Sequence, residues 1–216
     1  MIAAHSDDEA LGCAGTMAKH VAAGDEVHVV FMTDGVGSRN TVENKSGERR
    51  KSAELVAKIL GVSSMVNFDF PDNKMDSIPL FDIVQVIAEV IEKIQPCVVY
   101  THHVGDLNID HQITHKAVMT ACRPQPGFCV KEIYAFEVLS STEWQTCDVH
   151  PFLPNKFVDV SEYMKVKEKA LYTYSDEMRA APHSRSVENI VRLNQFRGNC
   201  VGYQYAEAFS VIRIVV

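Results

Sequence analysis

The feature that most restricts the fold is an alternation. Short runs rich in β-branched and aromatic residues take turns with longer segments of helical period. Glu26 to Thr33 (Glu-Val-His-Val-Val-Phe-Met-Thr), Met65 to Phe70, Cys97 to Thr101 and Lys131 to Phe136 are short and nearly continuous in apolar character, as strands buried on both faces are. Between them, Leu11, Ala14, Met17, Ala18 and Val21 recur at helical spacing within Glu9 to Ala23, ahead of a stop at Gly24. Glu48 to Leu60 repeats the pattern through Ala53, Val56, Ala57 and Leu60, closed by Gly61, and Leu80 to Ile94 is the most amphipathic segment, broken by Pro96. With Met1 to Ala4 as a first strand, the order β-α-β-α-β-α-β predicts an α/β fold: a Rossmann-like three-layer sandwich around a mostly parallel sheet in the doubly wound order 3-2-1-4-5. That first strand is short for a central one, so the chain starts late or lacks a few natural N-terminal residues.

Later elements are less regular. The spacing predicts a helix from Gln112 to about Cys122, a short edge strand over Lys156 to Asp159, a helix capped by Ser161 and carrying Met164, Val166 and Leu171, another over Ser186 to Phe196, and a last strand over Ala206 to Val216. Val36 to Gly47 is polar and contains glycine, which suits a lid, and it shares the task of specificity with Glu137 to Asn155. No linker or repeat divides residues 1–216, which read as one domain.

Two polar clusters follow strands one and four. The first is Ala4-His-Ser-Asp-Asp-Glu9; the second is His102-His-Val-Gly-Asp-Leu-Asn-Ile-Asp-His111. In the doubly wound order these strands are neighbours and the chain reverses direction between them, so both clusters open onto one crevice. An imidazole and carboxylates at that point suit a catalytic zinc site with a position left for water, His111 joining His5 and Asp8 as third ligand and Asp7 facing the same point. The alternative is that Ser6, Asp7 and Asp8 only cap the first helix with negative charge. A nucleotide-binding module cradling phosphate at Gly12 and Gly15 is a further reading, but it lacks the G-x-G-x-x-G spacing and leaves His5 and His111 unexplained.

A net charge of -7 with no basic block argues against nucleic acid as a partner. No apolar run reaches the ~18 residues needed to cross a bilayer, and no signal-like segment opens the chain. The six cysteines form no C-x-x-C pair, which fits a reducing cytoplasm. A contact between copies through an edge strand or helix face is compatible with this pattern.

Both clusters, together with Arg197-Gly198 and Tyr205-Ala-Glu-Ala-Phe209, resemble the PIG-L/LmbE-like family of zinc-dependent de-N-acetylases. The resemblance implies a Rossmann-like fold and removal of an acetyl group from an N-acetylated amino sugar or its conjugate. It implies zinc, or another divalent transition metal, on His5, Asp8 and His111, with Asp7 as general base. Asp110 then either orients a ligand imidazole or caps the helix beginning near His111. Two positions depart from the family pattern. Ser6 stands where proline is usual, and Asn108 where a histidine often stabilises the oxyanion, leaving that role to Asn108, zinc, His102 or His103. Arg49 matches a family position and is expected to hold substrate hydroxyls or a phosphate, with His103 and Asp106 as further substrate contacts; Asp106 equally well fixes its loop. Arg185 and Arg197 are weaker handles for such a substrate, with a surface salt bridge as the default reading, and Glu9 is a helix-start charge rather than a catalytic acid. Hydratases among the relatives keep a second reaction open, since activated water also adds to double bonds.

Overall fold

The computed structural model describes residues 1–33, 35, 45–146, 148 and 150–216, with backbone only at 45 and 46. The lid expected over Val36 to Gly47 therefore falls largely outside the described residues. Three parallel strands stand in the order β1-β2-β3: β1 (Ile2–Ala3), β2 (His28–Thr33) and β3 (Ser64–Phe70). A second set stands in the order β4-β5-β7-β6: β4 (Val98–His102), β5 (Glu132–Phe136), β6 (Lys156–Asp159) and β7 (Ala206–Ile214). β4 and β5 are parallel; β7 runs antiparallel to both β5 and β6.

β1 packs beside β4 as the doubly wound order requires. Among the described residues, however, the two form no ladder. β1 has only two residues, and the Ala4 N–H that follows it donates to the His102 ring Nε2 at 2.8 Å. One side of the polar site is thus tied to the other where two strands would otherwise pair.

Successive residues of a strand face opposite sides, and the core divides accordingly. Val29 and Phe31 of β2 pack in one cluster with α1 (Asp8–Ala22), α2 (Lys45–Leu60), α5 (Met164–Thr173) and α6 (Val187–Asn199). Val30 and Met32 pack in the other with α3 (Leu80–Ile94) and α4 (Ile109–Ala121). Several boundaries differ from the sequence reading, α6 for instance running on to Asn199 past the expected Phe196. The α2 helix starts at Lys45, before Glu48. Asn108, not a later residue, caps α4, accepting from the N–H groups of Asp110 and His111, so both lie inside the first helical turn. Ser161 opens a short 3-10 turn and donates to Asp159 at 2.6 Å instead of capping α5; Ser186 does cap α6.

The α1 helix lies unusually close to the sheet. A Cβ on Gly12 would stand 2.3 Å from Phe136 Cδ2, and one on Gly15 would stand 2.8 Å from Val160. These glycines serve close packing in the core, which removes the phosphate-cradle reading. Gly12→Ala is expected to destabilise the fold by about 1–3 kcal/mol, read as a lower midpoint in chemical denaturation, because the fully buried Phe136 ring has no room to retreat.

A buried charge pair is also inserted beside α1. Glu207, in the Tyr205–Phe209 stretch, accepts the backbone N–H groups of Gly15 (2.9 Å) and Thr16 (2.7 Å). Lys167 of α5 donates to Glu207 at 2.6 Å and to the carbonyl of Leu11 at 2.9 Å. Leu11 O is the acceptor that Gly15 N–H takes in an uninterrupted helix. The pair thus satisfies donor and acceptor alike, as two buried charges must be.

Candidate active site

The two polar clusters meet. His5 Nδ1, Asp8 Oδ2 and His111 Nε2 form a triangle with sides of 3.2 and 3.3 Å, all three residues buried. Ligands of a tetrahedral zinc ion, at ~2.0–2.1 Å from the metal, lie about 3.3 Å from one another, so the donor set and its spacing fit the metal. The opposite ring nitrogens are also engaged. His5 Nε2 lies 3.1 Å from both Asp72 Oδ1 and Asp110 Oδ2, and His111 Nδ1 lies 3.1 Å from Asp106 Oδ1. Each imidazole thereby shows one nitrogen to the triangle and the other to a carboxylate, the arrangement that fixes tautomer and orientation in metal sites.

The electrostatics agree. Burial alone would lower both histidines, but hydrogen bonds to the carboxylates of Asp110, Asp72 and Asp8 carry His5 well above the usual histidine range. Asp8 and Asp106 raise His111 to about 9 against the same burial. Asp8, which burial would raise, is held well below the usual carboxylate range by His111 and His102. The triangle therefore favours positive charge, and protons and a metal cation compete for the same atoms.

Asp110 is wholly buried, and its carboxylate also accepts the N–H groups of Asn73 (2.6 Å) and Met75 (3.0 Å), which ties the turn after β3 to the start of α4. It is an orienting group and not the helix cap. Asp106 takes the second of its two expected roles. Its carboxylate accepts from the Asn108 N–H at 2.9 Å, the Thr142 hydroxyl at 2.7 Å and the Ser141 hydroxyl, in addition to facing His111, and it is fully buried. His103 has its Nε2 2.6 Å from His150 O and its ring against Phe152. His102 stacks on His111 at 3.9 Å and accepts from Ala4 N–H at Nε2, which leaves the proton of the neutral ring on the buried Nδ1; burial and the His111 charge hold it well below the usual range. Asn108 does line the cavity, but Oδ1 caps α4 and Nδ2 donates to Asn73 at 3.2 Å.

The cavity beside the triangle measures ≈ 150 Å³ and is bounded by His5, Asp7, Asp72, Asn108 and two arginines, Arg49 and Arg185. A larger hollow of ≈ 340 Å³ lies by Met1, Val27 and Val98, at the other end of the parallel strands and away from the polar clusters. Arg49 is there as expected, but its guanidinium is largely committed. It donates to Ser6 O at 2.9 and 3.1 Å, to Ser6 Oγ and to Gly35 O, and it lies 3.3 Å from Asp7 Oδ1 and 3.5 Å from Glu177. Arg185, read from the sequence as a surface ion pair, instead donates to Asp7 Oδ2 at 3.0 Å and to Ser140 at 2.8 Å. Arg197 does make the expected kind of pair, with both oxygens of Glu137 at 2.8 Å.

Asp7 occupies the N-cap position of α1, yet its side chain caps nothing, and its backbone sits at φ 131, ψ -27. Such a conformation in a non-glycine residue costs on the order of 1–3 kcal/mol and gathers at functional sites. Burial raises the Asp7 carboxyl above its ordinary value, with Arg49 and Arg185 opposing. Asp72 and Glu177 are the site residues that sequence reasoning missed, and Arg185 is one that it set aside. Asp72 alone carried a signal: it follows the C-terminal end of β3 just as the two recognised clusters follow β1 and β4.

Comparison with known proteins agrees with this geometry. Residues 1–122 match the PIG-L family model, described as GlcNAc-PI de-N-acetylase. An uncharacterized deacetylase, YaiS of Escherichia coli K12, is 30% identical over 79% of this chain and 86% of its own. The diacetylchitobiose deacetylase of Thermococcus kodakarensis is 26% identical over 96% of this chain and 80% of its own. Among solved structures, the 4-carboxy-2-hydroxymuconate hydratase GalB of Pseudomonas putida KT2440 shares the fold, with a TM-score of 0.76 at 24% identity, covering 100% of this chain and 95% of that one. Fold alone therefore does not select hydrolysis over hydration. With the family model matched over more than half of the chain, residues 1–122 of 216, the chain belongs to the PIG-L family, and the two relatives above are named deacetylases.

Proposed function

We propose that this protein is a zinc-dependent hydrolase that removes the N-acetyl group from an amino sugar or amino-sugar conjugate. One observation carries the reading: three buried donor atoms at metal-ligand spacing beside Asp7, a carboxylate that lines the cavity and whose buried Oδ1 accepts no hydrogen bond among the described residues. When bound by His5, Asp8 and His111, zinc supplies a lowered pKa for water, toward ~7, and polarisation of a carbonyl oxygen.

The remaining work falls to the chain's own residues. Asp7 Oδ1 takes the proton of the attacking water as its oxygen bonds to the acetyl carbon, and the same carboxyl returns that proton to nitrogen as the C–N bond breaks. Acetate and a free amine leave. A carboxyl raised by burial is better matched to this task than an exposed aspartate. Asp110 and Asp72 orient His5, Asp106 orients His111, and Arg49 and Arg185 fix the Asp7 carboxylate. The small, polar cavity suits a hydroxyl-rich substituent more than an extended apolar chain.

A panel of N-acetylated sugars and conjugates, incubated with the zinc-loaded protein, is expected to give acetate and primary amine in equal amounts for at least one member. Loss of a carbon–carbon double bond from an unsaturated acid, with no acetate from any amide, would replace hydrolysis by hydration.

A further inference from the structure

Glu9 is the acidic residue of the first cluster that the proposed mechanism does not use; it stands in the first turn of α1, as expected from the sequence, but it is buried there. It is 2% exposed. One carboxylate oxygen accepts the Asp7 backbone N–H at 2.9 Å; the other accepts the hydroxyl of Tyr174 at 2.7 Å. Tyr174, also buried, closes α5 more than 160 residues away and beyond the part of the chain that matches the family model.

The place of these bonds gives them a purpose. An aspartate at an N-cap ordinarily has extended backbone and turns its carboxylate onto the N–H groups of the first helical turn. Asp7 has φ 131 instead, its carboxylate goes to the cavity and the arginines, and the first turn is closed by backbone alone, with Ala10 and Leu11 N–H on Asp7 O. Something must hold that unfavourable backbone, and the group that grips it is Glu9. We propose that Glu9 and Tyr174 are a pair of positioning residues that lock the Asp7 backbone so that its carboxylate is withheld from helix capping and aimed at the reacting water. The inference rests on Asp7 being the general base proposed above.

The test uses full-length Glu9→Gln, Glu9→Leu and Tyr174→Phe. In the metal-free protein, amide hydrogen exchange at Asp7 reads the grip directly. In the zinc-loaded protein, kcat, KM, metal content and melting temperature are compared. Glu9→Leu and Tyr174→Phe are expected to speed Asp7 exchange relative to Ala10 and Leu11 and to cut kcat about 10- to 100-fold, with KM and metal content held. Glu9→Gln keeps an acceptor for Asp7 and a partner for Tyr174, and restores both readouts. Tyr174→Phe decides the matter alone if Glu9→Leu does not fold. The proposal is overturned if both disruptive variants keep kcat within about threefold of wild type, or if their losses only follow melting temperature or metal content. It is also overturned if Glu9→Gln is as damaged as Glu9→Leu, which would make the charge rather than the hydrogen bond the active element. If the wild type hydrolyses no amide, the functional reading fails, and the exchange comparison still decides whether Glu9 and Tyr174 hold Asp7.

Discussion

Asp7→Asn is expected to leave the metal in place and to lower kcat by about 10²- to 10⁴-fold, the range that a positioned general base contributes. The substitution is nearly isosteric and leaves the Asp7 backbone N–H and C=O partners in place, so the strained turn survives it. The carboxamide cannot take up the proton of the attacking water. It also turns an amide group or oxygen toward Arg185, weakening the 3.0 Å bond that now has full charge on both sides. Elemental analysis and steady-state kinetics on the same preparation separate the two effects: full metal with lost turnover supports the assignment. An Asp7→Asn protein as active as wild type would remove Asp7 from the mechanism.

His111→Ala should do the reverse and strip the metal. The triangle loses one of its three corners, and two buried carboxylates, Asp8 and Asp106, lose the imidazole between them. Metal affinity is expected to fall by more than the ~10- to 100-fold that loss of an outer partner costs, whereas Asp110→Asn, which meets the triangle through the far nitrogen of His5, should stay inside that range. Equilibrium dialysis against zinc measures both. If the alanine variant binds zinc as tightly as Asp110→Asn, the ion is held elsewhere.

What the sequence made readable follows from how far each signal travels along the chain. Strand and helix positions are set by apolar periodicity over a few residues, and β2, β3, α3, β5 and β6 lie within a residue or two of where that periodicity puts them. The triangle was readable for a related reason. Its members sit just past β1 and β4, and the doubly wound order alone brings those strand ends together. The partners of the triangle were not. Arg185 reaches Asp7 from the turn ahead of α6, and Tyr174 reaches Glu9 from the end of α5; no local pattern distinguishes such an arginine or tyrosine from those on the surface. Asn108 carries a second task that its motif does not announce. Its position in the motif suggested chemistry, but a short amide two and three residues ahead of free helical N–H groups has a cap to make first.

The Lys167–Glu207 pair bears on how this chain can be dissected. Residues 1–122 carry the triangle and the whole family match, and look from their motifs like a self-sufficient catalytic half. Yet the backbone of α1 is completed from the far half at Leu11, Gly15 and Thr16, and its leading turn is gripped there through Glu9 and Asp7. A cut anywhere between the halves would leave the ligand-bearing helix with its inner flank bare and its polar groups orphaned. Recombination or truncation within this fold must therefore carry the terminal strand along with the motif it completes.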